Sequence, residues 1–179
     1  YGLNESQTAG AINMGANFAF GFLEGIALTG MEMYVHAGMA GRTGILAAKL
    51  GHAGVESTAL TFDGPAGYFN AFGPCSEPFT IGDEWRILNV WCKPYPLSGG
   101  KLRGVDAGIA AHQAGVRAEN IKHVNVRLSP RTMNYPGANW RGPFDRFTQA
   151  QNSTQFCVSA ALMGRDMAAI DTFTKGFAD

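Results

Sequence analysis

Residues 121–128, with the sequence IKHVNVRL, largely alternate apolar and polar side chains. An alternation with a period of two places the apolar side chains on one face of a β-strand. Residues 85–91, with the sequence WRILNVW, are rich in β-branched and aromatic side chains, which also favours a strand. These two segments predict that the second half of the chain contains a sheet.

Helical periodicity surrounds the two predicted strands. Apolar side chains recur there at steps of three and four residues, which is the spacing of one face of a helix. Helices followed by strands mixed with helices are typical of an α+β protein, so we predict that class, with a boundary near residue 74. The predicted helices cover residues 5–28, 37–52, 65–72, 101–115, 148–163 and 166–178.

Three glycines interrupt the helix predicted over residues 37–52. Gly38, Gly41 and Gly44 recur every three residues. Each glycine destabilises a helix by about 1 kcal/mol relative to alanine. We therefore expect another segment of backbone to approach this helix closely.

Composition and charge exclude several classes of protein. The 179 residues are 46% hydrophobic, which argues against a disordered chain, and fourteen basic residues balance fourteen acidic ones. Without a basic excess, nucleic-acid binding is not expected. The sequence has no long apolar run and no secretory signal pattern, so we predict a cytoplasmic protein without membrane contact. The three widely spaced cysteines, Cys75, Cys92 and Cys157, are expected to be buried and reduced.

Residues 93–101, with the sequence KPYPLSGGK, are a candidate site. Lys93 follows an apolar strand and Lys101 begins a helix, and the backbone N–H groups at such positions suit a carboxylate or phosphate. A solvated strand end is the alternative interpretation. The second candidate is His36, just before the glycine-rich helix. It can act as an acid or base near neutral pH, or it can be a capping or buried histidine.

Four segments resemble the signatures of the MmgE/PrpD family, and they follow one another in the family's order. The segments are HAGMAGRTGILAAKLG at 36–51, FDGPAGYF at 62–69, KPYP at 93–96 followed by VDA at 105–107, and QAQNS at 149–153 followed by VSAAL at 158–162. The family contains 2-methylcitrate dehydratase, cis-aconitate decarboxylase and iminodisuccinate epimerase. Its members are longer than this chain, which begins without a methionine, so we expect the chain to be a fragment.

The resemblance implies both an architecture and a chemistry. Residues 1–74 would be the C-terminal part of the family's helical domain, and residues 75–179 its smaller α+β domain, with the active site between the two. The family acts on small di- or tricarboxylates without a metal or an organic cofactor, and its members commonly form homodimers. The implied reaction removes a proton next to a carboxylate.

The resemblance also assigns roles to individual residues. His36 and Lys93 would be catalytic, His36 as an acid or base and Lys93 as the group that holds a substrate carboxylate. Tyr95, Ser98 and Lys101 would bind substrate. The chain departs from the family at three positions: Met33 replaces a common lysine, Ser98 a cysteine and Leu102 a histidine. Lys101, beside Leu102, can compensate for the lost positive charge.

Three functions follow from these expectations. The first is a part of a lyase, a dehydratase or decarboxylase, and the second is an epimerase of the same family. The third is a module that only associates, because other acid and base groups of the family are absent from this chain, which we expect to be inactive alone. Cutting a helical domain would leave apolar side chains without partner helices, so we expect a homodimer. These side chains are Phe18, Phe20, Phe22 and Ile26.

Overall fold

The computed structural model describes residues 1–74, 82 and 84–175, and helices make up 52% of it. Its α-helices are α1 (Glu5–Asn17), α2 (Glu24–Ala27), α3 (Glu32–His52), α4 (Tyr68–Phe72), α5 (Leu102–Gln113), α6 (Pro130–Met133), α7 (Phe147–Asn152), α8 (Thr154–Leu162) and α9 (Asp171–Thr174). Short 3₁₀ turns cover Arg86–Asn89, Gly99–Lys101 and Ala118–Asn120. None of the described helices is long and apolar enough to cross a bilayer.

The chain divides into two compact units. Unit 1 comprises Tyr1–Phe22 and Glu32–Asn89, and unit 2 comprises Leu23–Met31 and Val90–Asp179. The short segment around α2 therefore belongs to unit 2, although the chain on both sides of it belongs to unit 1. The domain boundary expected near residue 74 stays a prediction.

The α+β prediction is wrong, because the described residues contain no strand and no sheet. Residues 123–129 have no regular secondary structure, and no backbone hydrogen bond joins residues 122–128 to another described segment. The other predicted strand contains the 3₁₀ turn Arg86–Asn89, and Trp85 and Trp91 beside it are exposed. Alternating side chains specify only the two faces of a segment. A strand also needs a neighbour whose N–H and C=O groups complete the ladder.

In unit 1, α1 packs against the C-terminal part of α3. Asn4 caps α1, since its side chain accepts a hydrogen bond from the Gln7 N–H and its own N–H donates to the Gln7 side chain. Gly51 allows the close approach of the two helices. A Cβ atom at this position would lie 2.9 Å from the Gln7 carbonyl oxygen and 3.4 Å from the Cβ of Ala11.

The expected close approach at Gly38, Gly41 and Gly44 is wrong for the described chain. A Cβ atom at any of the three would meet nothing within 4 Å. The glycine that does contact a second helix, Gly51, lies at the opposite end of α3 and outside that repeat. The spacing of the glycines thus gave no information about which one is packed.

We expect Gly51→Ala and Gly41→Ala to change the stability of unit 1 in opposite directions. Alanine at 51 must displace the backbone of α1, which lowers the free energy of unfolding. Alanine at 41 meets open space and has a higher helix propensity than glycine, so the free energy of unfolding should rise by about 0.5–1 kcal/mol. Chemical denaturation followed by circular dichroism measures both variants. Equal effects of the two substitutions would contradict the packing described for α1 and α3.

The core of unit 2 is formed where α5 packs against α8. Gly108 makes this contact close, because a Cβ atom there would lie 3.0 Å from the Ala161 Cβ and 3.3 Å from the Val158 carbonyl oxygen. The aromatic rings of Phe147 and Phe156 pack against Phe173. The buried apolar cluster consists of Leu97, Leu102, Val105, Ala150, Cys157, Ala160, Ala161, Met167 and Phe173.

The segment Leu23–Met31 contacts the same unit through buried polar groups. Thr148 Oγ1 donates a hydrogen bond of 2.5 Å to the carbonyl oxygen of Thr29, and both residues are buried. Ile26 is also buried, so the expectation that it lacks a partner is wrong, while Phe20 and Phe22 are about four-fifths exposed as expected. Ile26 and Thr29 thus attach this segment to unit 2.

We expect Thr148→Val and Thr154→Val to differ sharply in stability. Valine at 148 leaves the buried Thr29 carbonyl without its donor, which costs about 1–3 kcal/mol. Thr154 Oγ1 is buried and has no hydrogen-bond partner among the described residues. Its replacement by a methyl group is therefore expected to be neutral or stabilising.

Thermal unfolding of the two single variants and the parent measures this difference. The substitutions are the same in shape and lie in the same unit, so each serves as the control for the other. A Thr148→Val variant as stable as the parent would contradict the role given to this hydrogen bond.

Candidate functional site

The five residues assigned from the sequence lie in both units. His36 lies on α3 in unit 1, and Lys93, Tyr95, Ser98 and Lys101 lie in the segment that leads into α5 in unit 2. The His36 ring is half-buried and packs against Gly21, where a Cβ atom would lie 3.2 Å from Cε1 of the imidazole. The other four residues lie in unit 2, in a loop that we define as residues 93–101 and call the lysine loop.

Lys93 closes the first part of the lysine loop. Its ammonium Nζ donates a hydrogen bond of 3.0 Å to the carbonyl oxygen of Leu97, and Leu97 N–H donates to the Tyr95 carbonyl oxygen at 2.8 Å. Leu97 is fully buried in the core of unit 2, whereas Lys93 is exposed. The buried leucine therefore anchors the loop while the ammonium group, with further N–H donors, faces solvent.

Tyr95 connects the lysine loop to the first turns of α5. Its hydroxyl donates a hydrogen bond of 3.0 Å to Oδ1 of Asp106. Burial of the phenol, and then the hydrogen bond and negative charge of Asp106, raise the pKa of Tyr95 above its ordinary value. Tyr95 is therefore a hydrogen-bond donor at neutral pH, and it is already engaged by a carboxylate of the protein.

Ser98 and Lys101 form the end of the lysine loop. Ser98 precedes the 3₁₀ turn Gly99–Lys101, and its carbonyl oxygen accepts a hydrogen bond of 3.0 Å from the Lys101 N–H. Its hydroxyl makes no capping bond to the turn, although the residue is only half-buried. The Ser98 hydroxyl is thus a polar group beside the turn.

Lys101 is the most unusual residue of unit 2. It has no exposed surface, and Nζ has no hydrogen-bond partner among the described residues. Nζ lies 5.9 Å from the centre of the Tyr135 ring, within the range of a cation–π interaction. A buried ammonium without hydrogen bonds is strongly destabilising.

Burial lowers the pKa of Lys101 to about 8, negative charge on the Cys157 sulfur would raise this pKa, and the Lys93 ammonium lowers it further. Burial also raises the pKa of Cys157 to about 12, against the opposing effects of Lys101 and of its own backbone. Cys157 is therefore a neutral thiol at neutral pH. All three cysteines are expected from the sequence to be buried. Cys157 is buried, which confirms this expectation, whereas Cys92 is exposed, which contradicts it. Cys75 lies outside the described residues.

Two positive groups therefore act within one short loop, one at the surface and one behind it. An anion bound at Lys93 would offset the repulsion between the two ammonium groups and would favour the protonated form of Lys101. The exposed ammonium group of Lys93 suits the binding of a carboxylate. The described residues contain no cluster of three or more His, Cys, Asp or Glu side chains that could hold a metal ion.

Sequence reasoning missed Asp106 and Tyr135 as parts of this site. Asp106 appears in the sequence only as part of a resembling motif, and nothing in its spacing from Tyr95 indicates a hydrogen bond. Tyr135 is thirty-four positions after Lys101, in a segment that lies outside every predicted helix and strand. Contacts of this kind depend on the packing between segments and leave no local pattern.

We expect Lys101→Met to stabilise the protein at pH 7. Methionine removes a buried charge without hydrogen bonds, so the free energy of unfolding should rise by on the order of 2–3 kcal/mol. Because the pKa of Lys101 is about 8 in the folded protein and 10.5 as its ordinary value, the unfolded chain binds more protons between these values. The parent protein should therefore gain stability as the pH rises through this window, and its difference from Lys101→Met should shrink.

Urea denaturation at a series of pH values between 7 and 10.5 measures the difference between the parent and the variant. Lys122→Met is the matched control, because Lys122 is an exposed lysine of the same unit. A difference between the parent and Lys101→Met that does not change with pH would contradict the buried, charged state of Lys101.

Comparison with known proteins leaves the family open. No protein-family model matches the chain, and no curated protein matches it. The likeness to the MmgE/PrpD signatures therefore remains a prediction from the segments quoted above.

Proposed function

We propose that this chain supplies the carboxylate-binding part of a lyase, a dehydratase or decarboxylase of the MmgE/PrpD type. The proposed substrate is a small di- or tricarboxylate, and the proposed reaction begins with removal of a proton next to a carboxylate. The observation that carries the proposal is the buried Lys101, whose amine has no partner among the described residues, behind the exposed Lys93.

The chemistry of proton removal explains why such a pair is useful. Loss of a proton next to a carboxylate places additional negative charge on that carboxylate. A positive group that is already in place stabilises this charge more in a site of low polarity than it would in water. Lys93 would contact the carboxylate directly, and the field of Lys101 would act from behind it.

Ser98 would complete the binding of the substrate, and Tyr95 would position the lysine loop. The Ser98 hydroxyl is a neutral donor for a second oxygen of the carboxylate. Tyr95 is hydrogen-bonded to Asp106 and would hold the loop in position. In this proposal Tyr95 is therefore a positioning residue of the lysine loop.

His36 is proposed as the acid or base of the same reaction. An imidazole changes its charge near neutral pH, which suits a group that removes or returns a proton. Its assignment comes from the resemblance, and its place in the first turns of α3 and its half-buried ring are compatible with that role.

An isomerase of the same type shares this first step. An epimerase returns the proton to the opposite face of the same carbon, whereas a lyase expels a leaving group. In deuterated water, an epimerase yields substrate that contains deuterium and has lost its optical activity. A dehydratase or decarboxylase yields a different product, with a new double bond or with loss of carbon dioxide.

A second candidate function, association without catalysis, is favoured by the apolar surface of unit 1. α3 leaves Val35, Met39 and Leu46 exposed, and Phe20 and Phe22 precede it with most of their surface in solvent. Exposed apolar patches of this kind mark contact surfaces for other proteins.

A homodimer through this surface is part of the proposal. Sedimentation at several concentrations tests it, and a monomer at every concentration would contradict it.

We expect citrate to bind the chain at pH 8 with uptake of protons. Bound carboxylate favours the charged form of Lys101, so the heat of binding should depend on the ionisation enthalpy of the buffer. Lys93→Ala should weaken binding about tenfold, the loss of one hydrogen bond to a charged group. Isothermal titration calorimetry in two buffers measures affinity and proton uptake together.

Lys122→Ala is the control, since it removes an exposed lysine of unit 2 outside the lysine loop. Its citrate affinity should equal that of the parent. Citrate binding that is unchanged by Lys93→Ala, or no binding to the parent, would contradict the carboxylate-binding role of the loop.

A further inference from the structure

A cleft with a volume of about 600 Å³ lies in unit 2 beside α5. One wall consists of Gly99 and Gly100 in the turn before α5 and of Arg103, Gly104, Ala107 and Gly108 of α5. Residues 124–129 form the opposite wall, and Val158 and Leu162 of α8 also line the cleft. We call it the α5 cleft. Its volume lies within the range of small-molecule sites, about 300–1,000 Å³. Gly99 and Gly100 of the lysine loop belong to its lining, but Lys93, Tyr95, Ser98 and Lys101 do not, so a ligand in the cleft would contact other side chains than those assigned to the lysine loop.

Part of the lining of the α5 cleft is apolar. Gly104 and Gly108 of α5 belong to it, and a Cβ atom at Gly104 would lie 3.3 Å from Val158 and 3.5 Å from Val126. The wall opposite contributes Val124 and Val126. The cleft therefore offers aliphatic surface that favours a ligand with an apolar part.

Two positively charged side chains line the α5 cleft. Arg103 of α5 and Arg127 of the opposite wall both line it, and neither makes an ion pair with a described residue. No aspartate or glutamate is among the lining residues. Asp106, the acidic residue of α5, accepts its hydrogen bond from Tyr95 outside the cleft. A guanidinium group binds a carboxylate through two parallel hydrogen bonds.

We propose that the α5 cleft binds a monocarboxylate with an apolar chain. Arg103 and Arg127 bind the carboxylate from the two walls, and the apolar chain lies along Gly104, Gly108 and the valines of the opposite wall. The charge and the apolar surface act together, so neither a short carboxylate nor an apolar cation is a ligand. This site is independent of the function proposed for the lysine loop.

Calorimetric titration of the chain with octanoate tests the proposal. Acetate and octylammonium are the two comparison ligands, because acetate lacks the chain and octylammonium carries the opposite charge. We expect octanoate to bind at one site and the other two to bind at least about tenfold more weakly. Equal binding of octanoate and octylammonium would overturn the role of the two arginines.

Arg103→Gln and Arg127→Gln test the residues directly. Each variant is expected to weaken octanoate binding about tenfold, because it removes a charged donor but keeps a side chain of similar length. Arg141→Gln is the matched control, since Arg141 is an exposed arginine of unit 2 that does not line the cleft. Arg103 and Arg127 are exposed at the surface, so we expect both variants to fold. Circular dichroism of each variant tests this.

The proposed citrate site at the lysine loop and the proposed octanoate site in the α5 cleft can be tested separately. Lys93→Ala should leave octanoate binding unchanged, and Arg103→Gln should leave citrate binding unchanged. Octanoate binding that is lost in Lys93→Ala and retained in both arginine variants would overturn the α5 cleft as its site. Binding retained in all variants would overturn it as well.

Discussion

The close packing of α5 against α8 is the constraint on which unit 2 depends. At Gly108 the two helices come so near that a Cβ atom would contact Ala161 at 3.0 Å. This contact positions the whole of α5, and with it the residues at its N-terminal end. Leu102 and Val105 then enter the buried cluster, and Lys101 is enclosed beside them. The burial of a lysine is thus a consequence of how the helix is packed, and the gain from the apolar neighbours offsets its cost.

The same packing separates two surfaces of α5 with different chemistry. The enclosed Lys101 lies near the Tyr135 ring, in the same loop as the exposed Lys93. Arg103, Gly104, Ala107 and Gly108 of α5 line a cleft whose charged groups are arginines. The low pKa of Lys101 and the permanent charge of the arginines suit different ligands. A group that titrates near pH 8 can respond to a bound substrate, whereas arginine only holds an anion in place.

Local patterns predicted the helices better than they predicted the class of the fold. The helix over most of 37–52 and the helix that begins near Lys101 are confirmed, because periodicity is a property of neighbouring residues. The sheet was wrong because pairing depends on a second segment, and residues 121–128 have no such partner in the described chain. The candidate loop was found from its two lysines. The sequence did not predict the hydrogen bond from Tyr95 to Asp106 or the enclosure of Lys101, because both arise only from packing.

The most direct test of this account is the titration of the Lys101 side chain itself. Carbon-13 NMR of the lysine ε carbons, recorded between pH 6 and pH 12, follows each amine separately, and the signal missing in Lys101→Arg identifies Lys101. The account predicts that this signal titrates near pH 8, well below the exposed lysines. A Lys101 signal that titrates together with the exposed lysines near pH 10.5 would contradict the enclosure of this amine and the site built around it.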